Sequence, residues 1–182
     1  MKGISEFSIQ DVKFDIDEAI NKIGICCFSK TEKEILMWSH YSDSHKGLCL
    51  KFDINEDPNI FQFLEKVKYE TSIKPLNCFK EWTGRQIIDH FIVPKYDKWS
   101  YEQEVRVIKI SDEMNFNESD KGKAIKFKPS ALIKIIFGCK ATQTTIEKYK
   151  RLCNVEEFKH VKFSKMKQMT DGTFGLIEKE IL

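Results

Sequence analysis

Two segments of this chain concentrate side chains capable of chemistry. The first is Trp38-Ser-His-Tyr-Ser-Asp-Ser-His-Lys-Gly47, which places aromatic, hydroxyl, imidazole and carboxylate groups within ten positions. Imidazole titrates near neutral pH, so His40 or His45 can move a proton. Tyr41 and Trp38 can stack on a flat ligand such as a base or a nicotinamide. The competing account is a loop in which His40 and Tyr41 satisfy backbone groups while Asp43 and His45 are solvated. The second segment is Lys98-Trp-Ser-Tyr-Glu-Gln-Glu-Val-Arg106. Glu102 and Glu104 stand two apart at the mouth of a predicted strand, so both carboxylates are expected on one face. Acids so placed repel. One with a raised pKa would serve as acid or base, or the pair would hold a cation or sugar hydroxyls beside Trp99. Arg106 continues that face and can pair with either glutamate. The structural alternative is therefore a charged ladder on an exposed sheet surface, worth roughly a few tenths of a kcal/mol per pair.

A third feature is lysine. Lys121, Lys123, Lys126 and Lys128 lie near one predicted strand, and Lys159, Lys162, Lys165 and Lys167 near another. Such stripes are either solvated faces or weak contacts for a polyanion. Arginine is scarce: Arg85, Arg106 and Arg151 are the three among thirty basic residues, and so the few candidates for two-pronged recognition of phosphate or carboxylate.

The chain that must position these groups has 182 residues, 41 % of them hydrophobic and 32 % charged, enough apolar matter for one domain with a core and too much for a disordered tail. A net charge of +2 is too balanced for a surface that binds polyanions everywhere. Six cysteines without a CxxC pair and four histidines without ligand spacing predict reduced, buried thiols and no metal. Neither an apolar leader nor a run of about 20 apolar residues is visible, so the expectation is a cytoplasmic protein without a membrane partner.

Patterning predicts a short helix over Asp15–Gly24, a buried strand over Ile25–Phe28, and a helix over Thr31–Tyr41 opened by a Thr31/Glu34 capping box. A strand follows over Gly47–Asp53, then an ambiguous stretch from Phe61 to Tyr69 and a helix from Glu81 to Ile92, stopped before Pro94. Strands are expected at Glu104–Ile110, Ala124–Lys128 and Lys134–Gly138, with an acidic loop from Ser111 to Gly122. A helix capped by Thr144 and Glu147 runs to Cys153. A closing hairpin turns at Asp171-Gly172, a pair suited to a tight turn. The order lacks βαβ alternation. It predicts a single α+β domain over 1–182, with a mixed, largely antiparallel sheet and three or four flanking helices.

Cys27-Phe-Ser29, Ile35-Leu-Met-Trp-Ser-His-Tyr41, His45-Lys-Gly47, Cys49-Leu-Lys-Phe-Asp53, Trp99-Ser-Tyr-Glu-Gln-Glu-Val-Arg106 and Ile135-Ile-Phe-Gly-Cys139 together resemble a bacterial family of uncharacterised domains, numbered 2971 among the domains of unknown function. The resemblance runs from about Gly24 to the C-terminus. It implies kinship with proteins of prophages and mobile elements, and so a role in phage–host conflict such as defence or a toxin. Such family members usually carry an upstream segment with a basic first strand. Here residues 1–23 form only a short lead-in and no arginine precedes Arg85, so that segment is expected to be absent.

A fold-level analogy is sharper. Glu102-Gln-Glu104 is similar to the Glu-x-Glu of ADP-ribosyltransferases, and Phe28-Ser29-Lys30-Thr31 resembles their Ser-Thr-Ser strand. This implies NAD as cofactor. Glu104 would hold a ribose hydroxyl as nicotinamide leaves, Glu102 would act on the acceptor, and His40 and Tyr41 would assist. Ser29, Trp38, His45, Trp99 and Arg106 would contact the ligand. Two other readings stand beside it. One is a non-catalytic binding module (inhibitor, sensor or decoy) for a protein, nucleotide or nucleic acid. The other is a metal-dependent nuclease built on His40, Glu102 and Glu104.

Overall fold

The computed structural model describes residues 20–21, 23–75, 82–110 and 126–181. Among them the elements run β1 (Ile23–Ser29), α1 (Ile35–Tyr41), β2 (Leu48–Phe52), α2 (Pro58–Phe61), β3 (Leu64–Lys66), β4 (Lys68–Glu70), α3 (Gly84–Ile87), β5 (Pro94–Tyr96), β6 (Glu104–Ile110), β7 (Leu132–Phe137), α4 (Gln143–Leu152), β8 (Lys162–Gln168) and β9 (Leu176–Glu180). Helices accompany mixed, mostly antiparallel sheets, the α+β class expected. The residues fall into two compact units, one drawn from 1–28 and 63–123, the other from 29–62 and 124–182.

In the first unit β6 lies between β1 and β3. β3 runs antiparallel to β6, with Leu64 opposite Val107 and Lys66 opposite Val105. β4 and β5 pair in parallel, Lys68 opposite Pro94. The apolar centre is Ile88, Ile92, Val93 and Ile108, with Ile23 packed against it. α3 starts on a capping box: the Thr83 hydroxyl accepts from the Gln86 N–H, and the Gln86 side chain accepts from the Thr83 N–H. The helix then widens into a π turn over Ile88–Ile92, closed by the Val93 N–H on the Ile88 carbonyl at 2.9 Å. Pro94, which cannot continue a helix, follows. The predicted helix over 81–92 is therefore found from Gly84 onward; residue 81 lies outside the described residues.

The second unit is a four-stranded sheet in the order β2-β7-β8-β9. β2 and β9 are antiparallel to their neighbours, and β7 and β8 are parallel. Alternation sends Ile135 and Phe137 of β7 to one face and Ile136 to the other. On the first face, Ala141, Ile146 and Val161 pack with Leu132, Ile135 and Phe137. On the second, Trp38 of α1 packs with Ile136, Met166 and Leu176. Covered on both sides, β7 is an almost unbroken apolar run.

Several local expectations are corrected. Gly24 belongs to β1 and ends no helix, while residues 15–19 and 22 of that predicted helix lie outside the described residues. β1 is not a buried strand: Ile25, Cys26 and Cys27 are exposed, as an edge position allows. The cap of α1 is Glu34, whose carboxylate accepts from the Leu36 N–H; the Thr31 hydroxyl instead accepts from the Lys33 N–H. The cap of α4 is Thr142, two residues before the predicted one, accepting from the Thr145 N–H. Residues 126–128 form no strand, because Phe127 turns into the core beside Phe52 and the Lys128 N–H is taken by the Asp57 carboxylate at 2.7 Å. The hairpin forms, but Gln168 pairs with Leu176, so its loop spans residues 169–175 and is no two-residue turn. Residues 111–122 and Cys78 lie outside the described residues, as do Lys121 and Lys123.

Candidate functional site

The paired acids meet, but not on a strand face. Glu102 ends a 3-10 helix (Asp97–Glu102), Gln103 turns left-handed at φ 46°, and Glu104 opens β6. Both glutamates are buried, 2 % and 6 % exposed, so the exposed ladder is corrected to an interior charge cluster. What allows it is Lys95 of β5, whose ammonium donates to Glu102 and, at 2.7 Å, to Glu104. Arg106 clasps Glu104 from the strand, Nε on Oε1 at 2.7 Å and Nη2 on Oε2 at 3.2 Å, while Nη1 donates to the Ile92 carbonyl that ends the π turn. The Cys27 thiol adds a further hydrogen bond to Glu104. The Lys95 ammonium also lies over the Trp99 ring at 5.3 Å, and the Tyr69 hydroxyl accepts the Glu104 N–H at 2.8 Å.

This arrangement decides the protonation of Glu104. Burial alone would raise its carboxyl, but the hydrogen bonds from Arg106, Cys27 and Lys95 outweigh burial and hold it at about 2. The expectation of a raised acid is therefore corrected at Glu104. Although Cys27 as a residue is exposed, partial burial of its thiol, then the bond to Glu104, pushes it up to about 11. A carboxylate offers about four lone-pair positions. Arg106 takes two of them and Lys95 a third. A depressed folded-state pKa stabilises fully above the unfolded value of 4.5 and is lost as pH falls toward about 2. Urea midpoints are thus expected to fall between pH 4.5 and 2 more steeply for the wild type than for Glu104→Gln, which carries no titrating group there. Parallel profiles would contradict the assignment.

The Trp38–Gly47 segment is built into the second unit. The Trp38 ring is not a stacking platform: it is 4 % exposed, packed on Ile136 and Met166, with its indole N–H on the Glu32 carbonyl at 2.6 Å. After α1 the chain turns through three left-handed residues, Asp43 (φ 46°), Ser44 (52°) and His45 (71°), a conformation L-residues resist. It is held from both ends. The His45 N–H donates to the Trp38 carbonyl at 3.0 Å, and the Gly47 N–H to the Ser42 carbonyl at 2.8 Å. From the end of β7, the Gly138 N–H donates to the Gly47 carbonyl at 2.9 Å and the Lys140 N–H to the His45 carbonyl at 3.0 Å. His45 is half-buried. Burial, then the Lys140 charge, keeps its imidazole below the usual value. His40 and Tyr41 are exposed, their rings edge-on at 6.3 Å. The Ser29 hydroxyl donates to the Thr31 carbonyl at 3.0 Å and accepts its N–H at 3.1 Å, closing a local turn.

Glu102, Glu104, Arg106 and Trp99 thus converge in the first unit, whereas Trp38, His40, Tyr41 and His45 belong to the second. Among the described residues no three His, Cys, Asp or Glu side chains converge as metal ligands would, and no helix is long and apolar enough to cross a membrane.

Sequence patterning misses a cleft of about 370 Å³ in the second unit, lined by Lys150, Arg151, Cys153, Asn154, Phe158, Lys159, Val161 and Phe163. Arg151, Asn154 and Lys159 are exposed at its rim; Lys150, Phe158 and Phe163 are half-buried and Val161 buried. The Lys150 ammonium lies over the Phe163 ring at 5.6 Å. The stretch 140–168 that contains the cleft carries eight Lys and Arg against three Glu, a net +5 in a chain of net +2. The lysine stripe of β8 is corrected in detail. Lys162 shares the face of Ser164 and Met166, Lys165 and Lys167 the other, and the Lys165 ammonium is spent on the Ala141 carbonyl at 2.8 Å. Of the three arginines, Arg85 pairs with Glu65 and Asp89 and Arg106 with Glu104, while Arg151 lines the cleft. The signal visible in the sequence is the Lys150-Arg151 dipeptide; the aromatic wall comes from residues 158 and 163, beyond the helix.

No curated protein and no solved structure matches the chain. Residues 37–107 match a family of proteins of unknown function (DUF2971), and the stretch they cover takes in both the Trp38–Gly47 loop and Glu102, Glu104 and Arg106.

Proposed function

We propose that this chain is a non-catalytic binding module whose second unit holds a nucleic acid by its phosphates. The observation that carries the reading is the cleft with Lys150, Arg151 and Lys159 in its lining, Lys159 pairing in addition with the exposed Glu156 carboxylate beside it. Eight cations against three carboxylates give the stretch 140–168 a local excess of +5, which acts on a nearby anion more than the near-neutral total does. The acids that would serve a transferase or a nuclease are, on this reading, structural: they neutralise Lys95 and Arg106 inside the first unit.

The test is charge reversal read with a fluorescent oligonucleotide. Lys150, Arg151 and Lys159 changed together to Glu should weaken binding at least tenfold. Each phosphate that is no longer neutralised should flatten the salt dependence by about 0.7–0.9 in log K per log salt. Lys30, Lys33 and Lys46, exposed elsewhere in the same unit, changed to Glu make the same change in net charge and should cost far less. Equal losses in the two triple variants would refute the cleft as the site.

A further inference from the structure

We infer that the cleft takes one unpaired nucleotide, base inward, so that the ligand is a single strand and not a duplex; the inference rests on the phosphate-binding reading above. The reason lies in the division of the lining. A phosphate needs only the exposed cations, Arg151 and Lys159, the latter exchanging its exposed Glu156 partner for the phosphate. It gains nothing from Phe158, Val161 and Phe163, which line the same cleft and are half-buried or buried. A volume of about 370 Å³ lies at the lower end of small-ligand sites, the scale of a single nucleotide. Apolar and aromatic walls suit a base, whose faces are flat and poorly hydrated and whose stacking tolerates any sequence. Asn154 at the rim offers both an amide donor and a carbonyl acceptor, the pair a base edge presents in complement. In a duplex the bases are stacked and paired away from such a cleft, and only phosphates would reach the rim.

The experiment compares three labelled ligands of equal length on the full chain by fluorescence anisotropy at about 50 mM and 200 mM salt: oligo(dT), a strand of the same phosphates carrying abasic sugars, and a duplex. Oligo(dT) is expected to bind at least tenfold tighter than either of the others, with oligo(U) alongside to compare the sugars. Asn154→Ala, at an exposed position, should weaken oligo(dT) about threefold or more and leave the abasic strand unchanged, whereas Arg151→Glu should weaken all three. Equal affinity for oligo(dT), the abasic strand and the duplex would overturn base insertion and leave phosphate binding standing. Failure of all three to bind at the lower salt would overturn the phosphate reading and this inference with it.

Discussion

Gly138→Ala is expected to cost about 3–5 kcal/mol of stability, from a main-chain overlap of the overpacking kind and the rupture of two hydrogen bonds worth about 1 kcal/mol each. A Cβ at Gly138 would sit 2.1 Å from the His45 carbonyl oxygen and 2.6 Å from its carbon. Both atoms are backbone, so no rotamer change relieves the overlap. The loop cannot retreat cheaply either, because His45 is one of three consecutive left-handed residues and its carbonyl accepts the Lys140 N–H. Moving it breaks that bond and the one between Gly138 and Gly47. For a chain of this length each kcal/mol lowers the melting temperature by about 2–4 °C, so thermal unfolding should begin about 10 °C earlier. The control is Gly84→Ala. Gly84 opens α3 with nothing within 4 Å of a built Cβ, and there alanine should leave stability unchanged or raise it by about 0.5–1 kcal/mol. A Gly138→Ala protein that melts with the wild type would show that the loop is not locked to β7.

The bonding between this loop and the end of β7 explains how much of the site is legible in the sequence. The Trp38–Gly47 and Ile135–Cys139 runs are conspicuous as residue types, but their partnership is main chain to main chain, through Gly47, His45, Gly138 and Lys140. No side-chain pattern encodes such a bond, so the residue types alone do not reveal what locks the loop. Strands whose alternation or apolar run is local, β2, β6 and β7, lie where expected within a residue or two. Caps are harder to place because several Thr and Glu compete at each helix start, and the winner is set by where the helix packs. Thr142 caps α4 even though Thr144 and Glu147 spell a capping box. The acid pair is recognisable in the sequence, but at Glu104 the raised carboxyl expected of one of the two is replaced by a lowered one. The decisive partner, Lys95, sits on β5, and nothing in the spacing of Glu102, Glu104 and Arg106 announces a lysine seven residues upstream of the first glutamate. The Phe158 and Phe163 walls of the cleft are invisible for the same reason, since they join Lys150 and Arg151 only through packing in the core they share with α4.

Arg106→Met should prove as costly as the glycine change, by a different route. Truncating one partner of a buried ion pair strands the other charge, which typically costs about 3–5 kcal/mol, far above the few tenths of an exposed pair. Glu104 is 5 % exposed at its side chain and Arg106 15 %, so water cannot replace the guanidinium freely. Lys95 would remain, but it already serves Glu102, and one ammonium would then face two carboxylates. The Ile92 carbonyl at the end of the π turn would lose its cationic cap as well. Removing both charges changes the outcome. Glu104→Gln with Arg106→Met leaves no buried carboxylate deprived of its arginine, so the double variant should be less destabilised than the sum of the single variants by about 1–3 kcal/mol. Urea denaturation of the four proteins at pH 7 measures that coupling. Additive losses, or an Arg106→Met cost below about 1 kcal/mol, would mean that Glu104 is solvated and available after all. An open carboxylate at the head of β6 would then favour a catalytic reading over the binding module proposed above.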